Sequence, residues 1–299
     1  MKIRNRIIGM LLICAMVLGN YSTILAQSDL GDVEAQYFSF SEKDIYESLQ
    51  KCDNASLSSD GFSKADIQIL RTKTYNDLLL ERAKLPRETL QKYGHTDSEI
   101  NQLKQFASSN VLSATSDSLA RAAIACSGSL SKVSASSTSI KVKYSWSWNA
   151  RPVFLGTDTV GMRWQAVRSD GTIISASATS KSAFVNYYSI DTGNLYTTSS
   201  FTPTSKTDFD AIYLEFNMQK SVGYWAKSGN MTATITKDGS SPLYLVKVAA
   251  VYGHSILNSK ASISYSAGGY SISISPSSRE ESSGYSNITV YANGTVITN

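Results

Sequence analysis

The sequence predicts a mainly β protein, an antiparallel β-sandwich preceded by a small helical segment, and three observations carry that expectation. After about residue 115 apolar and polar residues alternate through most of the chain, the period of strands with one buried face. The alternating runs are punctuated by Asp170-Gly171, Asp238-Gly239 and Asn293-Gly294, pairs that favour the left-handed backbone of tight hairpin turns. Between about residues 41 and 107 the apolar spacing is helical instead. The chain thus divides into residues 1–26, 27–110 and 111–299.

The first segment reads as a signal peptide. MKIRNR is basic, and IIGMLLICAMVLG is apolar before the polar Asn20 and Tyr21, with cleavage expected after Ala26. The apolar run falls short of the roughly 20 residues a membrane-spanning helix needs. The protein is therefore expected to be secreted and extracellular. The formal charge of +4 owes three of its positive groups to Lys2, Arg4 and Arg6. The mature chain is close to neutral, and no clustered basic face points to nucleic acid.

In the second segment Ile67, Leu70 and Leu78 fall on one helical side. Pro86 suits a helix start, Gly94 a helix end, and Thr96 with Glu99 a capping box. Ile100, Leu103 and Phe106 then repeat at helical spacing, so KLPRETLQKYGHTDSEINQLKQF reads as helix, tight turn, helix. An acidic segment in a secreted chain makes this a packing unit and not a DNA reader.

In the third segment KVKYSWSWN places Val142, Tyr144, Trp146 and Trp148 on one strand face and Lys143, Ser145 and Ser147 on the other. Val160, Met162, Trp164 and Ala166 repeat the pattern, as do Ile212, Leu214, Phe216 and Met218, and Met231, Ala233 and Ile235. Trp146, Trp148 and Trp164 are thus assigned to a core. PLYLVKVAAVYG is apolar on both faces, as a central strand is. SISYSAGGYSISIS reads as a hairpin about Ala267-Gly268-Gly269, and SNITVYANGTVITN as a second one. Trp225, Tyr187, Tyr188 and Tyr196 are the better candidates for exposure and are the expected ligand-binding residues.

Cys52 and Cys126, the two cysteines left after cleavage, are expected to form one disulfide in an oxidising compartment. Neither histidine, His95 nor His254, has a Cys, Asp or second His at metal-ligand spacing, so no metal and no cofactor is expected. Asp191-Thr192-Gly193 matches the tripeptide of aspartic proteases but occurs once, as a turn does. Asp208 and Asp210 make a start on a calcium site, although a plain pair of acids at a strand edge accounts for them. The shortage of acid–base groups beside many Ser, Thr and Tyr points to a non-enzymatic binding or surface-interaction module for a glycan, cell wall or protein. The alternatives are a membrane-active or pore-forming β protein, carried by Ile263, Tyr265, Ile272 and Ile274 in an uncharged hairpin, and an extracellular hydrolase, which needs two of Asp158, Asp191, Asp208, Asp210 and Glu215 to converge in a cleft.

YSWSW followed by a proline and TDTVGMRW, with LPRETLQKYGHTDSEINQLKQF ahead of it, resembles secreted proteins of Gram-positive bacteria. The resemblance covers about half of the chain, and it implies the same helical and β order, no activity and no site residue.

Overall fold

Phe38 and Phe40 turn to the same side of a short strand, and the chain that follows them decides the architecture. The computed structural model describes residues 35–108, 114–206, 210–257, 262–265, 272–275 and 284–298. These residues are mainly β, with two antiparallel sheets and seven helices among them. The first sheet runs β1 (Ala35–Ser41), β2 (Ala125–Ala135), β3 (Ser139–Trp148), β11 (Tyr224–Lys237), β6 (Ala176–Ser189) and β7 (Leu195–Phe201), with β10 (Gln219–Ser221) beside β11. The second runs β16 (Val296–Thr298), β15 (Ser286–Tyr291), β12 (Leu245–Gly253), β4 (Thr157–Val167), β9 (Ala211–Asn217) and β8 (Thr204–Lys206), with β5 (Ile173–Ile174) beside β4.

The alternation in the sequence is the alternation of burial. Ile140, Val142, Tyr144, Trp146 and Trp148 are all buried, as are Val160, Met162, Trp164 and Ala166. Side chains of the two sheets share one apolar core. Trp146 stacks on Phe216 of the other sheet at 5.6 Å between ring centroids, and Phe40 meets the edge of Trp148 at the same separation. Gly229, opposite Trp146 on the neighbouring strand, leaves room for the indole, because a Cβ there would collide with it.

The seven helices are α1 (Glu42–Gln50), α2 (Asn54–Ser59), α3 (Lys64–Thr72), α4 (Tyr75–Ala83), α5 (Arg87–Lys92), α6 (Asp97–Ser108) and α7 (Ala114–Ala123). Ser41 with Asp44, Ser63 with Asp66 and Thr74 with Asp77 form capping boxes that start α1, α3 and α4. Thr96 and Glu99 do the same at α6. Each satisfies backbone donors that a helix start leaves open. Pro86 is the N-cap of α5, and Gly94 follows its end at φ +97°. Gly94 also approaches the chain after β3 so closely that a Cβ would lie 2.7 Å from the Asn149 carbonyl oxygen.

Several expectations need correction here. Residues Ala35–Ser41, inside the stretch read as helical, form a strand, and Ala114–Ala123, inside the stretch read as β, form a helix. Strand β1 pairs with β2, placing Phe40 opposite Cys126, which brings the two segments into one compact unit spanning residues 34–299. The expected disulfide is absent: Cys52 and Cys126 are free thiols. Cys126 lies beside the start of α1, whereas Cys52 lies beyond its end. Nine residues of helix span roughly 13 Å at about 1.5 Å per residue, well past the roughly 7 Å between Cα atoms that a disulfide tolerates.

The double-faced strand β12 is central, between β15 and β4. Its second apolar face is occupied too. Strands β13 (Ser262–Tyr265) and β14 (Ile272–Ser275) pair as a hairpin, and Ile263 and Ile272 pack against Ala249 and Val251. Gly161 on β4 makes the space, since a Cβ there would collide with Ile263 and lie 2.8 Å from Ile272 Cδ1. The turn Ala267-Gly268-Gly269 lies outside the described residues.

Candidate functional site

The core has a charged end. On β4 the inward parity that carries Val160 and Met162 reaches Asp158 at the start of the strand. On β12 the parity of Val248, Ala250 and Tyr252 runs on to His254. The parity of Phe38 and Phe40 runs on to Glu42, the first residue of α1. Three strand ends therefore deliver three charged groups to one place, and all three side chains are wholly buried.

His254 sits between the two carboxylates. Its Nδ1 is 3.0 Å from both Asp158 oxygens, and its Nε2 is 3.2 Å from Glu42 Oε1. Asp158 also accepts from the Tyr252 hydroxyl at 2.5 Å and the Ser255 backbone N–H at 3.0 Å. The Tyr252 hydroxyl in turn accepts from Trp148 Nε1 at 3.0 Å. Glu42 accepts from the Tyr75 hydroxyl at 2.8 Å and from the backbone N–H groups of Val153 and Phe154, each at 2.9 Å.

The charge states follow from these contacts. Burial pushes the His254 pKa down, but Asp158 and Glu42 outweigh it and raise it to about 10, so the imidazole is a cation donating both protons. Burial pushes Glu42 up, and the hydrogen bond and charge of His254, with the Phe154 and Val153 N–H groups, hold it below the ordinary carboxylate value. Cys126, close to Asp158, has its thiol raised well above normal, first by burial and then by that carboxylate. A histidine with both nitrogens committed cannot accept a proton, and a thiol so raised is no nucleophile at neutral pH. Ser255 Oγ donates to the Thr157 carbonyl oxygen. The network is built to hold the fold.

Above it runs the β3–β4 connection, residues 149–156, and the helices grip that strip by its backbone. Arg82 donates to the Arg151 carbonyl oxygen and, at 3.0 Å, to that of Pro152. The Arg151 N–H donates to the Tyr93 carbonyl oxygen at 2.7 Å, and Tyr46 stacks on Phe154 at 5.8 Å. Between this strip, α3 and Gln219 lies a groove of about 550 Å³, walled by Ile69, Val153, Phe154, Leu155 and Leu257 and carrying Arg151 and Asp66. Its apolar wall residues are all half-buried.

The expected ligand-binding aromatics separate. Trp225 and Tyr187 are buried, 1% and 3% exposed, which corrects the expectation that they face solvent. Tyr187 reaches inward and donates to the Asn217 carbonyl oxygen at 3.1 Å. Tyr188 is half-buried with Lys227 over its ring at 5.1 Å. Tyr196 is 56% exposed and stacks on Tyr224 at 3.8 Å. Of the acids required for a hydrolase, Asp158 is sealed in the core, Asp191, Asp210 and Glu215 are exposed, and Asp208 lies outside the described residues. Gly193 of Asp191-Thr192-Gly193 is an ordinary turn glycine at φ +71°. Among the described residues no group of three His, Cys, Asp or Glu is placed to hold a metal ion.

No protein-family model matches the chain, and no curated protein does. Among solved structures there is a match to one described as "AvmM Catalyzes Macrocyclization in Alchivemycin A Biosynthesis", at 10% identity and a TM-score of 0.20, covering 40% of this chain and 66% of that one. A likeness of that depth says nothing about the chemistry of this chain.

Proposed function

We propose that the protein is a secreted, non-enzymatic binding module: an antiparallel β-sandwich with a small helical segment ahead of most of it, taking a glycan, cell-wall or protein ligand. The observation that carries this reading is the separation of charge from surface. The acid–base groups Glu42, Asp158 and His254 have no exposed side-chain area, whereas the groove beside them is open and walled by half-buried apolar side chains. Asp66, Arg151, Thr157 and Gln219 also line it, so the groove offers a ligand polar groups beside an apolar wall. The shared core of two antiparallel sheets supports the sandwich, and the basic-then-apolar MKIRNRIIGMLLICAMVLG supports secretion.

The test is retention of the purified protein on glycan, cell-wall and extracellular-protein fractions, comparing Leu155→Asp, which charges the groove wall, with Tyr196→Ala, which removes the exposed ring. Loss with Leu155→Asp and retention with Tyr196→Ala are expected. Failure of every fraction to retain the wild type sinks the reading.

A further inference from the structure

We propose that the outer face of the first sheet binds a linear acidic polysaccharide, a chain of sugars bearing carboxylates. The inference adds a surface other than the groove and stands independently of it.

The face is built by register. Along β1, β2, β3, β11, β6 and β7 the residues that alternate with the core turn outward, and strand pairing sets them in rows across the sheet. One row reads Tyr37, Ser129, Ser145, Asn230, Phe184 and Ser200, each exposed or half-buried. Its two rings, Tyr37 and Phe184, are 57% and 39% exposed. They stand four strand steps apart, roughly 19 Å at about 4.8 Å per step. The row beside it holds Ser147, Ser228, Asn186 and Thr198. There the Thr198 hydroxyl donates to Asn186 at 2.7 Å and the Asn186 amide to Ser228 at 3.1 Å, so these groups are ordered before any ligand arrives.

Charge selects the occupant. None of these six strands contains an aspartate or glutamate, whereas they carry Lys132, Lys141, Lys143, Lys181, Lys227 and Lys237. Lys132, Lys181 and Lys237 donate to Gly294, Ser205 and Gly239. Lys141 and Lys143 stand outward on β3 opposite Thr234 and Thr232, and among the described residues neither makes an ion pair. A positive face without acids of its own attracts an anionic chain. The hydroxyls narrow the class of anion. Nucleic acid calls for a denser cluster of cations, and a protein interface for a contiguous apolar centre, which two rings separated by Ser and Asn do not supply. A sugar chain meets every part of the face: its C–H surfaces pack on the rings, its hydroxyls bond to Ser and Asn, and its carboxylates face the lysines.

Affinity electrophoresis through gels holding polygalacturonate or its methyl ester tests the face, since the two polymers share a backbone and differ in charge. The wild type is expected to be held back more by polygalacturonate than by the ester, and less as salt rises. Lys141→Ser combined with Lys143→Ser is expected to weaken polygalacturonate binding roughly three- to ten-fold and to narrow the gap to the ester. Lys51→Ser combined with Lys64→Ser removes two exposed lysines of the helical segment and is expected to change neither. Tyr37→Ala and Phe184→Ala are each expected to weaken both polymers roughly two- to ten-fold, the scale of a ring contact. Leu155→Asp is expected to bind as the wild type does. No retardation of the wild type overturns the face and leaves the groove to its own test. Binding weakened as much by the helical pair as by the β3 pair overturns it as an effect of net charge, and loss with Leu155→Asp alone moves the polymer to the groove. Thermal midpoints within a few degrees of wild type show that the variants read the face and not the fold. Free polygalacturonate added to the fraction test fills the face, so that retention there reports the groove.

Discussion

His254 is where the fold meets pH. Its proton is held more tightly in the folded than in the unfolded chain, since the pKa rises from 6.5 to about 10. The stabilisation is therefore complete below about pH 6.5 and fades as pH climbs toward about 10. Glu42 acts at the other end: its lowered value contributes stability above the ordinary carboxylate range, and that contribution is lost on acidification. We predict that the denaturation midpoint of the wild type falls between pH 7 and 10 more steeply than that of His254→Gln. Parallel pH profiles of the two proteins would refute this. Asp158→Ala leaves the buried imidazolium with one carboxylate fewer, a change expected to cost about 3–5 kcal/mol in chemical denaturation. Within the core, Trp146→Ala is expected to cost about 3–5 kcal/mol, because the indole fills the space between Phe216, Tyr252 and the notch at Gly229.

At the scale of elements, one piece that pairs with neither main sheet depends on a small residue. The β13–β14 hairpin sits against the second sheet because Gly161 has no side chain. Gly161→Leu places atoms where Ile263 and Ile272 now lie, so we predict loss of amide protection at 262–265 and 272–275 with a stability cost of about 1–3 kcal/mol. Full protection of those amides in the variant would show that the hairpin is held by something else. The strands themselves were legible in the sequence because a period of two is hard to mistake over residues such as 140–148. The charged network was less so. Asp158 and His254 share the parity of their strands' apolar residues, and that is the signal that they face inward, but it says nothing of their meeting. Glu42 was missed because β1 is a seven-residue strand next to helices, and Phe38 and Phe40 were too short a run to set a period. Trp225 and Tyr187 keep the parity of the buried residues on their strands, Met231, Ala233 and Ile235 on β11 and Ala183 and Val185 on β6, so their inward placement was legible once those alternations are carried to the strand ends.

For the whole molecule, the consequence of β1 and Glu42 is that helices and sheets fold as one compact unit. A fragment starting at residue 125 would keep Asp158 and His254 and lose the acid that faces Nε2, together with the strand that covers Cys126 and Trp148. We predict that this fragment lacks a cooperative unfolding transition and binds a hydrophobic dye; a sharp transition at the full-length temperature would show that the helices are dispensable. What the sequence could not convey is this joint, since Glu42 is 212 residues from its imidazole partner and no local pattern spans that distance.

The same separation gives the chain a clock. Glu42 leaves the ribosome long before His254, and at roughly 5–20 residues per second the wait is on the order of 10–40 s. During it the carboxylate has only water, Tyr75 and the chain near Phe154 to turn to, so the charged end of the core closes last, when the final third of the protein arrives.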